Sequence, residues 1–155
     1  MTEQTIYFMQ HGLAVDKAVD PERPLSETGI QQTEVMAEML RSSKTSISSV
    51  FHSGKLRASQ TAEIIATTLG KSSTSVINGL SPNDDVAILA ENLNEHGAIY
   101  VGHLPHLGKI VAFLVTGNDA INIIKFQNSA VACLEKENMQ YHIKWLLTPE
   151  LTGYT

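Results

Sequence analysis

With 155 residues, 43% hydrophobic and 17% charged, the chain is expected to form one globular domain over 1–155, long enough to bury about two thirds of its unfolded surface without disulfide or metal staples. Its formal net charge is −5 and its 11 Lys and Arg are scattered rather than striped, which argues against nucleic acid as a partner. The longest apolar runs, IVAFLV at 110–115 and AIYVG at 98–102, fall far short of the about 18 residues that cross a bilayer, so no membrane span is expected.

The amino terminus, MTEQTIYFMQ, lacks a basic segment and the apolar core of about 7–15 residues that a secretion signal needs. The single Cys133 offers no intramolecular disulfide and reads as a small core residue. Both features point to a cytoplasmic protein.

TIYFM at 5–9 is a β-rich run fit for a buried strand, and it ends abruptly in Gln10, His11 and Gly12. Ser26 is an N-cap for a helix in which Ile30, Thr33, Ala37 and Leu40 share one face. ISSVFHS at 47–53 carries a second strand. A helix then runs from Leu56 to Leu69, with Leu56, Ala62, Ile65, Ala66 and Leu69 on one face and Gly70 at its end. The next helix is expected from Asp85 to about Glu95, followed by the strand AIYVG, then a helix opened by Pro105 and closed near Gly117. AVACLEKENMQYHIKWLL completes the chain as a strand pair around a turn near Asn138.

Strands alternating with helices in this way predict an α/β fold with a mostly parallel sheet ending in a hairpin. Ligands in such folds bind beyond the carboxyl ends of strands. That rule gathers Gln10–Gly12, Ser53–Arg57 and Gly102–His106 on one edge. An acidic protein that handles an anion there must concentrate a few cations, so the positions of Arg23, Arg41 and Arg57 become a test.

The chemistry suggested is covalent phosphoryl transfer. A neutral imidazole is nucleophilic at pH 7 and needs no separate base, which suits His11. The guanidinium fork of Arg57 can hold two phosphoryl oxygens, and a protonated His103 can hold another. Gly12 permits a tight turn or a close approach of backbone to the anion.

MQHG at 9–12, RPLSETG at 23–29, SGKLRASQTAEI at 53–64 and VGHLPHLG at 101–108 together resemble the histidine phosphatase superfamily. In order, spacing and chain length they are most similar to its phosphohistidine phosphatase branch. The resemblance spans about residues 5 to 150. It implies a three-layer α/β/α sandwich of the phosphoglycerate mutase-like kind and a reaction with neither metal nor other cofactor. It also implies His11 as the transiently phosphorylated nucleophile, with Arg57 and His103 as catalytic phosphate-holding partners. Gln10, Gly12, Arg23 and Leu104 fall at substrate-binding positions. The implied substrate is a phosphohistidine-bearing signalling domain, and the product is inorganic phosphate.

Two departures from the family pattern matter. Gln10 stands where the family has arginine; exchanging a charged donor for a neutral one costs on the order of 1–2 kcal/mol of anion binding, roughly a tenfold loss. If the missing charge acted mainly on the transition state, the loss would be on the order of 100-fold in rate. Relatives that cleave oxygen esters use a carboxylic acid to protonate the leaving group, and the local acids are Asp84 and Asp85. The same pair also reads as the cap of the following helix. A phosphohistidine substrate needs no strong acid, because imidazole leaves easily.

Three functions therefore stand: a phosphohistidine phosphatase, an anion-binding module with little turnover, and a small-ester phosphatase that uses Asp84 or Asp85. The His103/His106 pair carries no metal reading, since Pro105 interrupts any helix presenting both. His52, His96 and His142 have no motif support, Trp145 reads as core, and Ser53 and Ser129 read either as anion donors or as loop residues that satisfy backbone.

Overall fold

The computed structural model describes residues 2–153. Its elements run β1 (Gln4–Gln10), α1 (Glu27–Ser42), β2 (Ser49–His52), α2 (Leu56–Thr68), β3 (Ser75–Val76), α3 (Val86–Ala90), β4 (Ala98–Gly102), α4 (His106–Thr116), β5 (Val131–Glu137) and β6 (Gln140–Leu147), closed by a 3₁₀ turn at Pro149–Thr152. The strands form one sheet in the order β3-β2-β4-β1-β5-β6. β1, β4, β2 and β3 are parallel, and the β5–β6 hairpin adds antiparallel to β1.

Strand alternation divides the core between two faces. Ile6, Phe8, Ala98 and Tyr100 pack with Leu89 of α3 and with Leu107, Ile110 and Val111 of α4. Tyr7, Met9, Ile99 and Val101 pack on the other face with Met36, Ala37 and Leu40 of α1 and Ala58, Ala62 and Ile65 of α2. The result is the expected three-layer sandwich. β1 is central and its residues from Thr5 onward are buried, so its first free polar positions come where the strand stops.

Several local signals act as anticipated. The Ser26 hydroxyl accepts from the Gly29 N–H and caps α1. α4 ends at Gly117, which has φ 81°. The hairpin turns at Asn138 and Met139, with φ 53° and 66°, the left-handed pair that a two-residue turn requires.

Three expectations are corrected. α3 has one short turn, Val86–Ala90, rather than reaching Glu95; Asn92 turns its side-chain amide back to the Ile88 carbonyl, and such local bonds compete with helix continuation. Ile30 and Leu56 are 40% and 37% exposed. Ile30 lies at the edge of the buried stripe of Gly29, Thr33, Met36, Ala37 and Leu40, and Leu56 lies on the side of α2 opposite Ala58, Thr61, Ala62 and Ile65. Trp145 is half-buried against Tyr7, with ring centroids 6.0 Å apart.

Among the described residues no helix is long and apolar enough to cross a membrane. Cys133 is buried among apolar neighbours, and burial pushes its thiol up to about 11.

Candidate functional site

β1, β2 and β4 end side by side: Gln10 pairs with Gly102, and His52 pairs with Val101. The three polar segments that follow them meet there. His11 and His103 face each other with ring centroids 4.9 Å apart, tilted by 52°. From the start of α2, Arg57 Nε points at His11 Nε2 across 3.4 Å.

His11 is tightly held. Its N–H donates to the Gly102 carbonyl (3.0 Å), and its own carbonyl accepts from the Ser129 N–H (3.3 Å) and from Asn128 Nδ2 (3.2 Å). Its Nδ1 lies 2.7 Å from the Gly12 carbonyl. A carbonyl can only accept, so Nδ1 carries the proton and Nε2 carries the lone pair. Burial, followed by the nearby charges of Arg57 and Arg23, holds the ring well below its ordinary 6.5, at about 4, against the opposing pull of the Gly12 carbonyl. His11 is therefore neutral and nucleophilic at pH 7.

Gly12 serves by close approach. A Cβ there would stand 2.7 Å from Thr33 Oγ1 and 3.1 Å from the Gly29 carbonyl oxygen. Its N–H donates to Thr61 Oγ1 (2.9 Å), while that hydroxyl donates to the Arg57 carbonyl (2.8 Å). One threonine thus couples the His11 loop to the turn of α2 that presents Arg57. Thr33 and Ser129 join their hydroxyls at 2.9 Å, both fully buried. Ser129 has φ 67°, a left-handed conformation that costs a non-glycine residue about 1–3 kcal/mol and persists where its surroundings impose it.

Thr61 and Asn128 escape sequence reasoning. The available signal for Thr61 is a polar residue within the apolar face formed by Ala58, Ala62 and Ile65.

Ser53 Oγ lies 2.6 Å from His103 Nε2, so this serine positions the second histidine. Burial, then the neighbouring titratable His11, the Arg57 and Lys55 cations and His106, press His103 down to about 3. Without an anion His103 is neutral, because a buried site already holding the Arg57 and Lys55 cations disfavours another.

Arg23 adopts φ 49°. Its Nε donates to the Val15 carbonyl at 3.2 Å, and its charge reaches both His11 and Arg57. Arg41 goes elsewhere, paired with Glu38 on the exposed side of α1. The cations are therefore sorted as an anion site requires. Leu104 follows His103 and is 42% exposed.

Gln10 is 9% exposed, and its Oε1 has no hydrogen-bond partner. By strand alternation it shares the face of Ile6 and Phe8, the α4 side, whereas Arg57 approaches from the α2 side.

Asp84 and Asp85 both have local work. Asp84 Oδ2 accepts from the Ser81 N–H, and Asp85 Oδ1 accepts from the Ala87 N–H as the cap of α3, each at 3.0 Å. Neither carboxylate is hydrogen-bonded to His11 or His103. His52 accepts from the Gly54 N–H at 3.1 Å, which gives it a structural place beside the site. His106 is fully buried, and burial lowers its ring below the ordinary value against the opposing pull of the Asp84 carboxylate and the Gly79 backbone.

The arrangement presents an imidazole lone pair beside fixed cations, which can attack a tetrahedral phosphorus while its oxygens are held. Comparison with known proteins agrees with that chemistry. Residues 6–81 match the family model described as histidine phosphatase superfamily, branch 1. The phosphohistidine phosphatase SixA of Escherichia coli (strain K12) is 33% identical over 153 residues, with 93% of each chain covered. An uncharacterised protein of Picosynechococcus is 34% identical over 125 residues, covering 73% of this chain and 76% of that one.

Among solved structures, the protein histidine phosphatase SixA complexed with tungstate superposes with a TM-score of 0.84 at 30% identity, covering 96% of this chain and 99% of that one. A phosphoserine phosphatase of Entamoeba histolytica in complex with 3-phosphoglyceric acid shares the fold, with a TM-score of 0.73 at 14% identity over 94% of this chain and 97% of that one. The sandwich is thus the phosphoglycerate mutase-like fold, and this chain belongs to the histidine phosphatase superfamily, among its phosphoryl-group hydrolases.

Proposed function

We propose that the protein removes phosphate from phosphohistidine on a signalling phosphotransfer domain in the cytoplasm, acting as a single domain through a phospho-His11 intermediate. The observation that carries this reading is the Nδ1 bond of His11 to the Gly12 carbonyl, which leaves the Nε2 lone pair facing Arg57 at 3.4 Å. Nε2 attacks phosphorus in line and the phosphorus–nitrogen bond of the substrate breaks. The departing imidazole keeps that bonding pair and takes a proton from solvent. Water then attacks the phosphorus on His11, releasing inorganic phosphate and restoring the lone pair.

Arg57 and Arg23 balance the phosphoryl charge, His103 supplies a hydrogen bond, and Gln10 contributes at most a neutral one. The occupied carboxylates of Asp84 and Asp85 suit a leaving group that needs no strong acid. Similarity to a phosphohistidine phosphatase, and to a structure of that enzyme holding a tetrahedral oxyanion, supports the same substrate class.

The test is incubation with a phosphotransfer domain phosphorylated on histidine. Release of free phosphate together with an acid-labile phosphoenzyme is expected. The neutral Gln10 amide favours one other reading, an anion-binding module, and stoichiometric binding without release over hours would establish it. Hydrolysis of small esters that is abolished by Asp84→Asn or Asp85→Asn would instead assign the protein to that chemistry.

A further inference from the structure

The residue after His103 belongs to a second feature. Leu104 lines one end of a groove of about 480 Å³ that runs between the first turns of α4 and the segment 119–126. Ile121 and Ile124 line the opposite wall, and Ile121 is 44% exposed. Gly108 leaves the α4 side open, since a Cβ there would meet nothing within 4 Å. Lys109 and Lys125 also line the groove, opposed by the single acid Asp119. Neither lysine is in a salt bridge among the described residues.

A pocket for a small phosphate compound has no use for this extension. Exposed leucine and isoleucine stabilise only when something covers them. Leu104 follows His103 directly, so an occupant lying in the groove sits one residue from that histidine. Two lysines against one aspartate give the groove a net positive lining in a protein whose overall charge is −5.

We propose that this groove docks the flank of the protein that carries the phosphohistidine: a short amphipathic segment whose aliphatic side chains meet Leu104, Ile121 and Ile124 and whose carboxylates meet Lys109 and Lys125. This rests on the phosphohistidine reading above and adds a recognition surface to it. The groove supplies binding and orientation while the pocket supplies the chemistry. Its occupant is distinguished from free phosphohistidine by the surface it covers.

The test uses three substrates: free phosphohistidine and two peptides of equal length with a central phosphohistidine, one flanked by leucine and glutamate, the other by alanine and lysine. The wild-type protein should turn over the leucine–glutamate peptide with a kcat/KM on the order of tenfold above the alanine–lysine peptide. Ile121→Asp and Lys125→Glu should each erase most of that advantage through KM, with kcat and the turnover of free phosphohistidine unchanged. Equal wild-type efficiency on both peptides overturns the docking inference while leaving the phosphohistidine reading intact. Equal losses on all three substrates also overturn it, by showing general damage to the fold. Release from none of the three overturns both. A wild-type dimer that Ile121→Asp dissolves, with peptide preference unchanged, assigns the groove to a second copy and likewise overturns it.

Discussion

The two sides of the β1 terminus are built to different standards. On the α1/α2 side, the backbone and Nδ1 of His11, the N–H of Gly12 and the hydroxyls of Thr61, Thr33 and Ser129 all have partners. On the α4 side, Gln10 Oε1 and His103 Nδ1 are buried without one. A buried polar atom left unpaired costs about 1–3 kcal/mol, so the second side carries a stability cost that the first does not. The contrast sets a His11 held in one tautomer by complete hydrogen bonding against a side that keeps buried polar atoms uncommitted.

The sharpest way to break the first side is His11→Ala, which should remove phosphate release and the phosphoenzyme together, a loss on the order of 10³-fold or more in kcat. Retained turnover would place the nucleophile elsewhere. Arg57→Ala should cost on the order of 100-fold or more, read as kcat/KM for phosphate release; a change confined to KM would mean that Arg57 only binds.

Acid tests the same side without mutation. His11 must be neutral to attack, so kcat/KM should be level above pH 5 and fall about tenfold per unit once the pH drops below about 4. Stability moves in the same direction. The folded ring titrates at about 4 and the unfolded one at the ordinary 6.5, so the unfolded chain binds the extra proton between those values and stability declines as pH falls from 6.5 to 4. A thermal midpoint independent of pH across that window would contradict the neutral, buried ring.

Two milder substitutions probe the α4 side. Gln10→Arg should raise kcat/KM by roughly tenfold by restoring a charged donor; an unchanged rate would show that the neutral amide is not the weak point. His106→Leu removes the contacts of a buried ring with the Gly79 backbone and Asp84 and should lower the free energy of unfolding in urea by about 1 kcal/mol with turnover unchanged. A large loss of turnover would bring His106 into the chemistry.

Sequence reasoning succeeds here where a signal is local and fails where a contact is distant. Ser26 as a cap, Gly117 as a helix end, Asn138 as a turn and the clean run AIYVG each announce their structure through residues a few positions apart. Strand ends also show where His11, Arg57 and His103 converge, since parallel connectivity forces their segments to one edge. The overlong α3 arises because periodicity does not say where the sheet stops offering a partner, and Ile30 and Leu56 are exposed because they lie at the edge of, or opposite, the buried stripes of their helices. Thr61 and Asn128 reach His11 or Gly12 across separations of 49 and 117 positions, and no local pattern encodes such a contact. The neutrality of His103 is a collective property of burial and four neighbouring charged or titratable groups.

On the proposed reading, the long contact between Arg57 Nε and His11 Nε2 acts as a chemical filter. An uncharged electrophile entering the cleft meets an imidazole whose reactive electrons are already pointed at a guanidinium hydrogen. A tetrahedral dianion draws that guanidinium to itself, and by doing so bares the nitrogen. Arrival of the correct charge and arming of the attacking atom thus become a single event.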